Sequence, residues 1–378
     1  MSSLDADVGQ ILWFGFEGTT APPELLADIA AGRVGAVVIF KRNLVITQVH
    51  GPVPQEIIDL AAITALNQQL HAAVPTGMPP LLSCVDQEGG VVQRIRAPAT
   101  VWPPMLALDA HPAPLDVQLA EDVGRALGRE LTAIGFDLDF APVLDVHTND
   151  ANPIIGDRAL GRDADTVSRR GLAMARGLER GGVVACGKHF PGHGDTVTDS
   201  HLELPRVEHD RARLERVELA PFAAAAKAGV PVLMTAHVVY PALDPARPAT
   251  LSPAIIGDLL RGELGYRGVI VSDDLDMKAI ADNLGVGDAA VQAIRAGCDA
   301  LLLCRDPAHQ REARAALLAA GEDPGFRARL ADAADRVRDL KARHQRRRIS
   351  EPAPALDVVG AQAHRRLADR LAGVGSQG

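Results

Sequence analysis

The sequence predicts a single-domain α/β fold, a (β/α)₈ TIM-like barrel with extra C-terminal helices. Three observations predict it: short apolar runs recur along the chain, helical stretches, most of them of ten or more residues, separate the runs, and about 320 residues hold eight such units. A doubly wound open sheet is the alternative. It is disfavoured because no Gly-rich dinucleotide-binding turn follows the first apolar run.

Each predicted strand is a run of β-branched and other apolar residues that ends in polar or turn residues. The eight are Gln10–Phe16, Gly35–Phe40, Leu81–Val85, Asp137–Val143, Val183–Lys188, Val230–Thr235, Gly268–Ser272 and Ala300–Cys304. The predicted helices are Pro22–Ala31, Gln55–Ala72, Leu115–Ile134, Asp165–Arg180, Arg211–Ala228, Pro253–Leu264, Asp288–Ala296 and Ala308–Ala319. Glycines such as Gly135 and Gly182 stand where a left-handed residue would end a helix.

The length and composition are those of one ordinary globular domain. A chain of 378 residues with 47% hydrophobic residues can bury a core without help from a disulfide or a metal. We expect the catalytic barrel and its trailing helices to occupy residues 1–348. Residues 349–378 form a tail with room for one helix, at Ala361–Ala372, and no second domain is expected.

Charge and hydropathy disfavour nucleic acid and membrane as partners. The net charge is −9 and no long basic stripe is present, while Arg346–Arg348 is typical of a solvated helix end. No apolar stretch is long enough to span a bilayer. We therefore expect a small-molecule partner.

The four cysteines and the N-terminal residues predict a cytoplasmic protein. The cysteines form no Cys-x-x-Cys pair, and three lie in predicted strands, so buried free thiols in a reducing compartment are expected; they are Cys84, Cys186, Cys298 and Cys304. The segment Met1–Gln10 has no basic residue and does not resemble a secretory signal.

Ionisable residues follow four of the predicted strands directly. In a (β/α)₈ barrel, polar side chains at the carboxyl ends of the strands face the active site. Such residues follow the third, fifth, sixth and seventh strands; they are Asp86, Glu88, Arg94, Lys188, His189, His193, His237, Asp273 and Asp274. The sequence therefore predicts an active site at this end of the barrel.

The segment Lys188–His201, KHFPGHGDTVTDSH, favours an acid/base loop over a metal site. His189 and His193 are four residues apart, a spacing that suits zinc on a helix, but Pro191 and Gly192 oppose a helix there. No metal or other cofactor is expected. Asp199 and His201 are separated by one residue, so an extended backbone points both the same way and the carboxylate can support a protonated imidazole.

Three motifs give the chain a resemblance to glycoside hydrolase family 3, and within it to the bacterial β-N-acetylglucosaminidases, or β-hexosaminidases. They are VDQEGGVVQR (Val85–Arg94), the Lys188–His201 string, and SDDLDM (Ser272–Met277). The motifs are in the family's order and spacing, and the similarity runs from about Ile11 to Cys304. The long string is highly specific, whereas the SDDL turn is weak alone.

The resemblance implies the roles of the individual residues. Asp273 would be the nucleophile, His201 the general acid/base and Asp199 its dyad partner. The residues that hold the hydroxyls and the acetamido group of the sugar would be Asp86, Arg94, Arg158, Lys188 and His189. A cis peptide near Lys188–His189 would turn both side chains into the pocket. Asp274 is the other candidate for the nucleophile. Neighbouring residues of a strand point to opposite sides, so we expect only one of the two to face the sugar, and the family pattern selects Asp273.

The implied function is retaining hydrolysis of terminal β-linked N-acetylglucosamine, in the cytoplasmic recycling of GlcNAc–anhydroMurNAc peptides. The family's β-glucosidases match less well, because many carry a further α/β domain. A phosphorylase that uses phosphate as acceptor stays open, as does a catalytically inactive sugar-binding barrel. We also expect the segment from Gly192 to His201 to be a moving lid, since Gly192 and Gly194 permit unusual backbone torsions and few apolar side chains anchor it.

Overall fold

The computed structural model describes residues 3–49, 55–196, 204–277, 280 and 284–373. Its centre is a closed barrel of eight parallel strands, which confirms the predicted fold class. In the order in which they pair around the barrel, the strands are β1 (Leu12–Phe14), β14 (Ala300–Leu303), β13 (Val269–Asp274), β10 (Val232–Thr235), β9 (Val184–Phe190), β8 (Leu138–Asp139), β5 (Leu82–Val85) and β2 (Ala36–Ile39).

Helices pack around the outside of the barrel, and most of them connect consecutive strands. The described helices are α1 (Leu4–Ile11), α2 (Pro23–Ala30), α3 (Leu60–Ala72), α4 (Leu115–Ile134), α5 (Ala164–Gly181), α6 (Arg211–Arg216), α7 (Ala220–Ala228), α8 (Ala254–Glu263, of π type), α9 (Val286–Ala296), α10 (Pro307–Ala320), α11 (Pro324–Ser350) and α12 (Gln362–Leu371). Gly135 and Gly182 end α4 and α5 with positive φ angles, as their positions predict.

Four predicted boundaries are wrong. The fourth strand, predicted at Asp137–Val143, covers only Leu138–Asp139 and ends before Pro142, which has no backbone N–H to donate. Gln10 and Ile11 belong to α1 rather than to the first strand, because Ser3 caps a short amphipathic helix that packs beneath the barrel. The start of the predicted helix Gln55–Ala72 is a strand, which pairs with residues 46–49 before Asp59 caps α3. The predicted helix Arg211–Ala228 divides into α6 and α7.

Short antiparallel hairpins follow several barrel strands and build the rim. They pair β3 (Ile46–Val49) with β4 (Gln55–Ile58), β6 (Gln87–Gly89) with β7 (Val92–Gln93), and β11 (Val239–Tyr240) with β12 (Asp244–Pro248). The β6–β7 hairpin begins directly after β5, so its side chains are held close to the end of that strand.

The barrel interior is a packed apolar core that is closed at the amino-terminal ends of the strands. Inward side chains such as Val38, Cys84 and Val271 pack together. Val337 and Leu340 of α11 join the same cluster and close the floor. A polar pocket inside the barrel can therefore open only toward the carboxyl ends of the strands.

The tail contains helix α12, which packs on α4 through His364, whose ring bonds the buried Glu130 carboxylate at 2.8 Å. Helix α11 runs without a break to Ser350. The division of the chain into a catalytic barrel and a tail at residue 348 stays a prediction. Among the residues that are described, no helix is long and apolar enough to cross a membrane.

Candidate active site

A cavity of about 280 Å³ opens at the carboxyl ends of the barrel strands. Apolar side chains, among them Phe40, Phe140 and Met234, form its floor. Charged and imidazole side chains form its wall: Arg42, Asp86, Arg94, Arg158, Lys188, His189, His193, Asp273, Asp274 and Arg305. A concave apolar floor with converging polar groups is typical of a small-molecule site.

Strand alternation explains why Asp86, Lys188 and Asp273 face the pocket. Each stands two residues beyond an inward apolar residue of its own strand, namely Cys84, Cys186 and Val271, which belong to the barrel-interior cluster. Because successive side chains of a strand point to opposite faces, the next inward position is occupied by the ionisable group. On each of these three strands, the first inward position beyond the apolar core is therefore occupied by an ionisable side chain.

Lys188 lies between two carboxylates. Its Nζ is 2.8 Å from Oδ1 of Asp86 and 2.6 Å from Oε1 of Glu88, and its side chain is 3% exposed. Burial alone would lower the pKa of Lys188, but Asp86 and Glu88 outweigh burial and raise the pKa above its ordinary value. The ammonium group is therefore held charged beside the pocket.

Glu88 also pairs with a second cation, Arg158. Nε and one terminal nitrogen of Arg158 each donate to Glu88 over 2.8 Å, and the other terminal nitrogen donates to the carbonyl of Ile154. Arg94 approaches Asp86 at 3.6 Å. Positive and negative groups thus alternate from Arg94 through Asp86, Lys188 and Glu88 to Arg158, an arrangement that we call the ion-pair chain.

The ion-pair chain keeps its carboxylates ionised despite burial. Burial alone would raise the pKa of Glu88, yet Arg158 and Lys188 lower it far below the ordinary value. Burial likewise opposes ionisation of Asp86, and Lys188 and Arg94 reverse the effect and lower its pKa. Fixed charges in a site with little water can orient polar ligand groups firmly.

Asp145 organises the two histidines of the pocket wall. Its carboxylate accepts from the backbone nitrogens of His189 and His193, and Oδ2 lies 2.7 Å from Nδ1 of His189. The bond between Lys188 and His189 is cis, as the resemblance implies, and both side chains line the pocket. Burial and the neighbouring His189 lower the pKa of His193 to about 4, so that ring is neutral near neutral pH.

The two neighbouring aspartates of β13 differ in their surroundings. Asp273 continues the inward face of the strand, and its Oδ1 accepts from the backbone nitrogen of Asp274. Oδ1 of Asp274 instead accepts from the backbone nitrogens of Asp276 and Cys304, each at 3.1 Å. His237 is buried and contacts the backbone carbonyl of Asp274 at 3.0 Å, so it supports the wall behind the pocket.

The predicted sugar-holding residues Asp86, Arg94, Arg158, Lys188 and His189 all line the one cavity with Asp273. Asp199 and His201 lie outside the described residues, so their proposed dyad stays a prediction. Within the described ranges, no group of three or more His, Cys, Asp or Glu side chains could hold a metal ion.

The described part of the predicted lid, from Gly192 to Thr196, is packed rather than loosely held. Thr196 is fully buried, and its Oγ1 contacts Asn152 and the His193 ring. A Cβ on Gly194 would collide with the carbonyl of Val146, so a close backbone contact requires this glycine. Polar and backbone contacts therefore anchor residues 192–196, where apolar contacts are few. Residues 197–201 lie outside the described part of the chain, so the moving lid stays a prediction.

Sequence reasoning assigned no role to Glu88 and overlooked Asp145. Glu88 stands inside the VDQEGG motif, two residues beyond Asp86 and next to a glycine turn. Asp145 follows the apolar run of the fourth strand, so the same search for polar residues at strand ends could have found it. Their contacts, to Arg158 and to the two histidines, join segments that are distant in sequence.

The buried Asp274 should make the stability of the fold depend on pH. Burial, with repulsion from Asp276, raises the pKa of Asp274 to about 7 from 3.8. The folded state then binds more protons than the unfolded state between pH 4 and 7, so the free energy of unfolding should fall as pH rises through this window. The penalty is complete above pH 7 and amounts to roughly 4 kcal/mol at most.

Asp274→Asn should remove this penalty while its amide oxygen keeps both backbone hydrogen bonds. Urea unfolding at pH 4.5 and pH 8 checks it. The gain over the wild type should be small at pH 4.5 and larger at pH 8, whereas Asp258→Asn, an exposed control, should change neither value. An equal gain at both pH values would contradict the assignment.

Comparison with known proteins identifies the family. Residues 3–340 match the model described as the glycosyl hydrolase family 3 N terminal domain. A β-hexosaminidase of Chromobacterium violaceum is 41% identical over 354 residues, which cover 92% of this chain and 92% of that protein. β-Hexosaminidase A of Pseudoalteromonas piscicida is 40% identical over 75% of this chain, and the match spans only 48% of that longer protein.

Solved structures agree in fold. The crystal structure of a β-N-acetylhexosaminidase from Beutenbergia cavernae superposes with a TM-score of 0.80 at 36% identity, over 90% of this chain and 99% of that one. The family match extends over both the barrel and the residues that line the pocket. This chain therefore belongs to glycosyl hydrolase family 3 and is a glycoside hydrolase.

Proposed function

We propose that this protein is an exo-acting β-N-acetylglucosaminidase that hydrolyses terminal β-linked N-acetylglucosamine with retention of configuration. The observation that carries the proposal is one cavity that joins the Asp273 carboxylate to the ion-pair chain and His189. The similar proteins that are named as hexosaminidases support the amino sugar as substrate.

Asp273 has the surroundings that a glycosidase nucleophile needs. A retaining enzyme requires a carboxylate beside the anomeric carbon and a separate proton donor near the leaving oxygen. Both aspartates line the cavity, but Oδ1 of Asp274 accepts from two backbone nitrogens and burial raises the pKa of Asp274 to about 7, which disfavours Asp274 as the nucleophile. We therefore assign attack on the sugar to Asp273.

The members of the ion-pair chain that line the cavity hold the non-reducing sugar in this proposal, together with His189. The Asp86 carboxylate accepts from sugar hydroxyls, and the Arg94, Arg158 and Lys188 cations donate to hydroxyl or acetamido oxygens. Because these charged groups are at least partly buried and paired with one another, they can position the anomeric carbon with little reorganisation. The small volume of the cavity, about 280 Å³, suits one sugar ring and supports exo action.

His201, assisted by Asp199, supplies the proton in this proposal. In the first step an oxygen of Asp273 bonds to the anomeric carbon, the glycosidic C–O bond breaks, and His201 gives its proton to the leaving oxygen. In the second step water attacks the same carbon, His201 takes a proton from that water, and the bond to Asp273 breaks. Two inversions give net retention.

We further propose that the substrate derives from the cell wall, as GlcNAc–anhydroMurNAc peptides in the cytoplasm. The four cysteines are free and buried, which supports a reducing compartment. The motif resemblance supports the recycling role.

Chromogenic substrates test the activity. The wild type should release the aryl group from a β-GlcNAc glycoside much faster than from a β-glucoside, and NMR should detect the β-anomer of GlcNAc as the first product. Added phosphate should yield no GlcNAc-1-phosphate. No turnover would favour the inactive barrel, and a phosphorylated product would favour the phosphorylase; either result contradicts the proposal.

Substitution of His201 tests the proton donor. His201→Ala should slow a GlcNAc disaccharide, whose leaving group needs a proton, about 100-fold more than an activated aryl glycoside, because only the former depends on general acid catalysis. Asp199→Ala should act in the same direction. Steady-state rates of the wild type and the variants on both substrates give the ratio of the loss on the disaccharide to the loss on the aryl glycoside.

His111→Ala provides the matched histidine control, because His111 bonds the carbonyl of Leu371 far from the pocket. It should leave the ratio of the two rates unchanged. Equal losses on both substrates in His201→Ala would instead indicate a binding role for His201.

A further inference from the structure

Glu88 lies behind the pocket wall and contacts two of the cations that line it. The residue is 2% exposed and is absent from the cavity lining. One oxygen lies 2.6 Å from Nζ of Lys188, and both oxygens accept from Arg158 at 2.8 Å. These cations come from different segments, β9 and the turn at Gly156–Arg158 that follows β8.

The backbone on both sides of Glu88 is fixed. The side chain of Gln87 bonds both the nitrogen and the carbonyl of Ile95, and its backbone nitrogen donates to Asp139. Gly89 has a φ of +103°, and a Cβ there would lie 2.9 Å from the carbonyl of Pro103. The Glu88 carboxylate is therefore presented from a rigid hairpin.

Among the described residues, Glu88 supplies the one carboxylate that touches both Lys188 and Arg158. Lys188 has a second carboxylate in Asp86, but the other hydrogen bond of the Arg158 side chain goes to the neutral carbonyl of Ile154. Without Glu88, the Arg158 side chain would keep, within the described residues, only the hydrogen bond to the Ile154 carbonyl, and one bond does not fix the plane of the guanidinium group. A paired, two-point contact fixes both the position and the plane of an arginine.

We propose that Glu88 is a positioning residue that fixes Arg158 and Lys188 in the orientation in which they bind the sugar. This inference rests on the proposed function. Glu88 acts through the two cations and does not itself touch the substrate. Glu88 thereby sets the affinity for the sugar. It does more than neutralise buried positive charge, because its two hydrogen bonds with the Arg158 guanidinium fix the plane and direction of that group.

Glu88→Gln tests the inference, because glutamine keeps the shape but removes the charge and one acceptor oxygen. The KM for an aryl β-GlcNAc glycoside and the Kd for GlcNAc, measured by calorimetry, should each rise about tenfold or more. Glu130→Gln is the matched control: Glu130 is 4% exposed and accepts from Thr100 and the Gly360 nitrogen on the outside of the barrel. It should lower thermal stability without changing KM or Kd.

A double-mutant cycle separates positioning from a general structural role. In an Arg158→Ala background, Glu88→Gln should raise Kd much less than in the wild type, since the guanidinium that it positions is gone. If Glu88→Gln does not fold, Glu88→Asp replaces it: the charge stays but the shorter side chain cannot reach both cations, and KM should again rise.

The inference is overturned if the wild type binds GlcNAc and Glu88→Gln behaves like Glu130→Gln, or if the two substitutions are additive in the cycle. Failure of the proposed function gives a different result, because the wild type itself would then neither cleave the glycoside nor bind GlcNAc. In that case the crystal structure of Glu88→Gln decides: Arg158 should leave its position in the wall, and an unmoved guanidinium contradicts the inference.

Discussion

Buried charges that must be paired with one another are the constraint on which the pocket depends. Lys188 and Glu88 are almost fully buried at the end of the apolar barrel, where an unpaired charge would cost several kcal/mol, and Arg94, Asp86 and Arg158 are partly buried beside them. Each charge therefore depends on its neighbours, and the order from Arg94 to Arg158 allows every member an opposite partner. Such mutual dependence makes the wall rigid before any ligand arrives.

The rest of the site is arranged around this rigid wall. Asp145 fixes His189 and His193 by three contacts, so the wall continues from β9 into the segment that leads toward His201. Asp273 stands on β13, two strands away from β9 around the barrel. A sugar held by the ion-pair chain could then present its anomeric carbon to a carboxylate that is not engaged in the chain.

The fold and most pocket residues could be predicted because they follow short-range rules. Apolar runs located all eight strands, and the polar residues after them identified Asp86, Lys188 and Asp273. Two of the failures arise from contacts between separate segments: Gln55–Ile58 is a strand because residues 46–49 pair with it, and Glu88 was given no role because Arg158, 70 residues later, reaches it across the barrel rim. Hydrogen bonds such as that from the Asn152 amide to Oγ1 of Thr196 likewise anchor the first residues of a segment whose composition suggested mobility.

In the proposed mechanism Asp273 forms a covalent bond to the sugar that the pocket wall holds. Mass spectrometry of peptides tests this step after incubation with a fluorinated N-acetylglucosaminyl fluoride, which slows release of a glycosyl-enzyme. We expect one sugar attached to Asp273. A label on Asp274 would contradict the assignment, and no label together with strong inhibition by a thiazoline would show that the acetamido group of the substrate attacks instead.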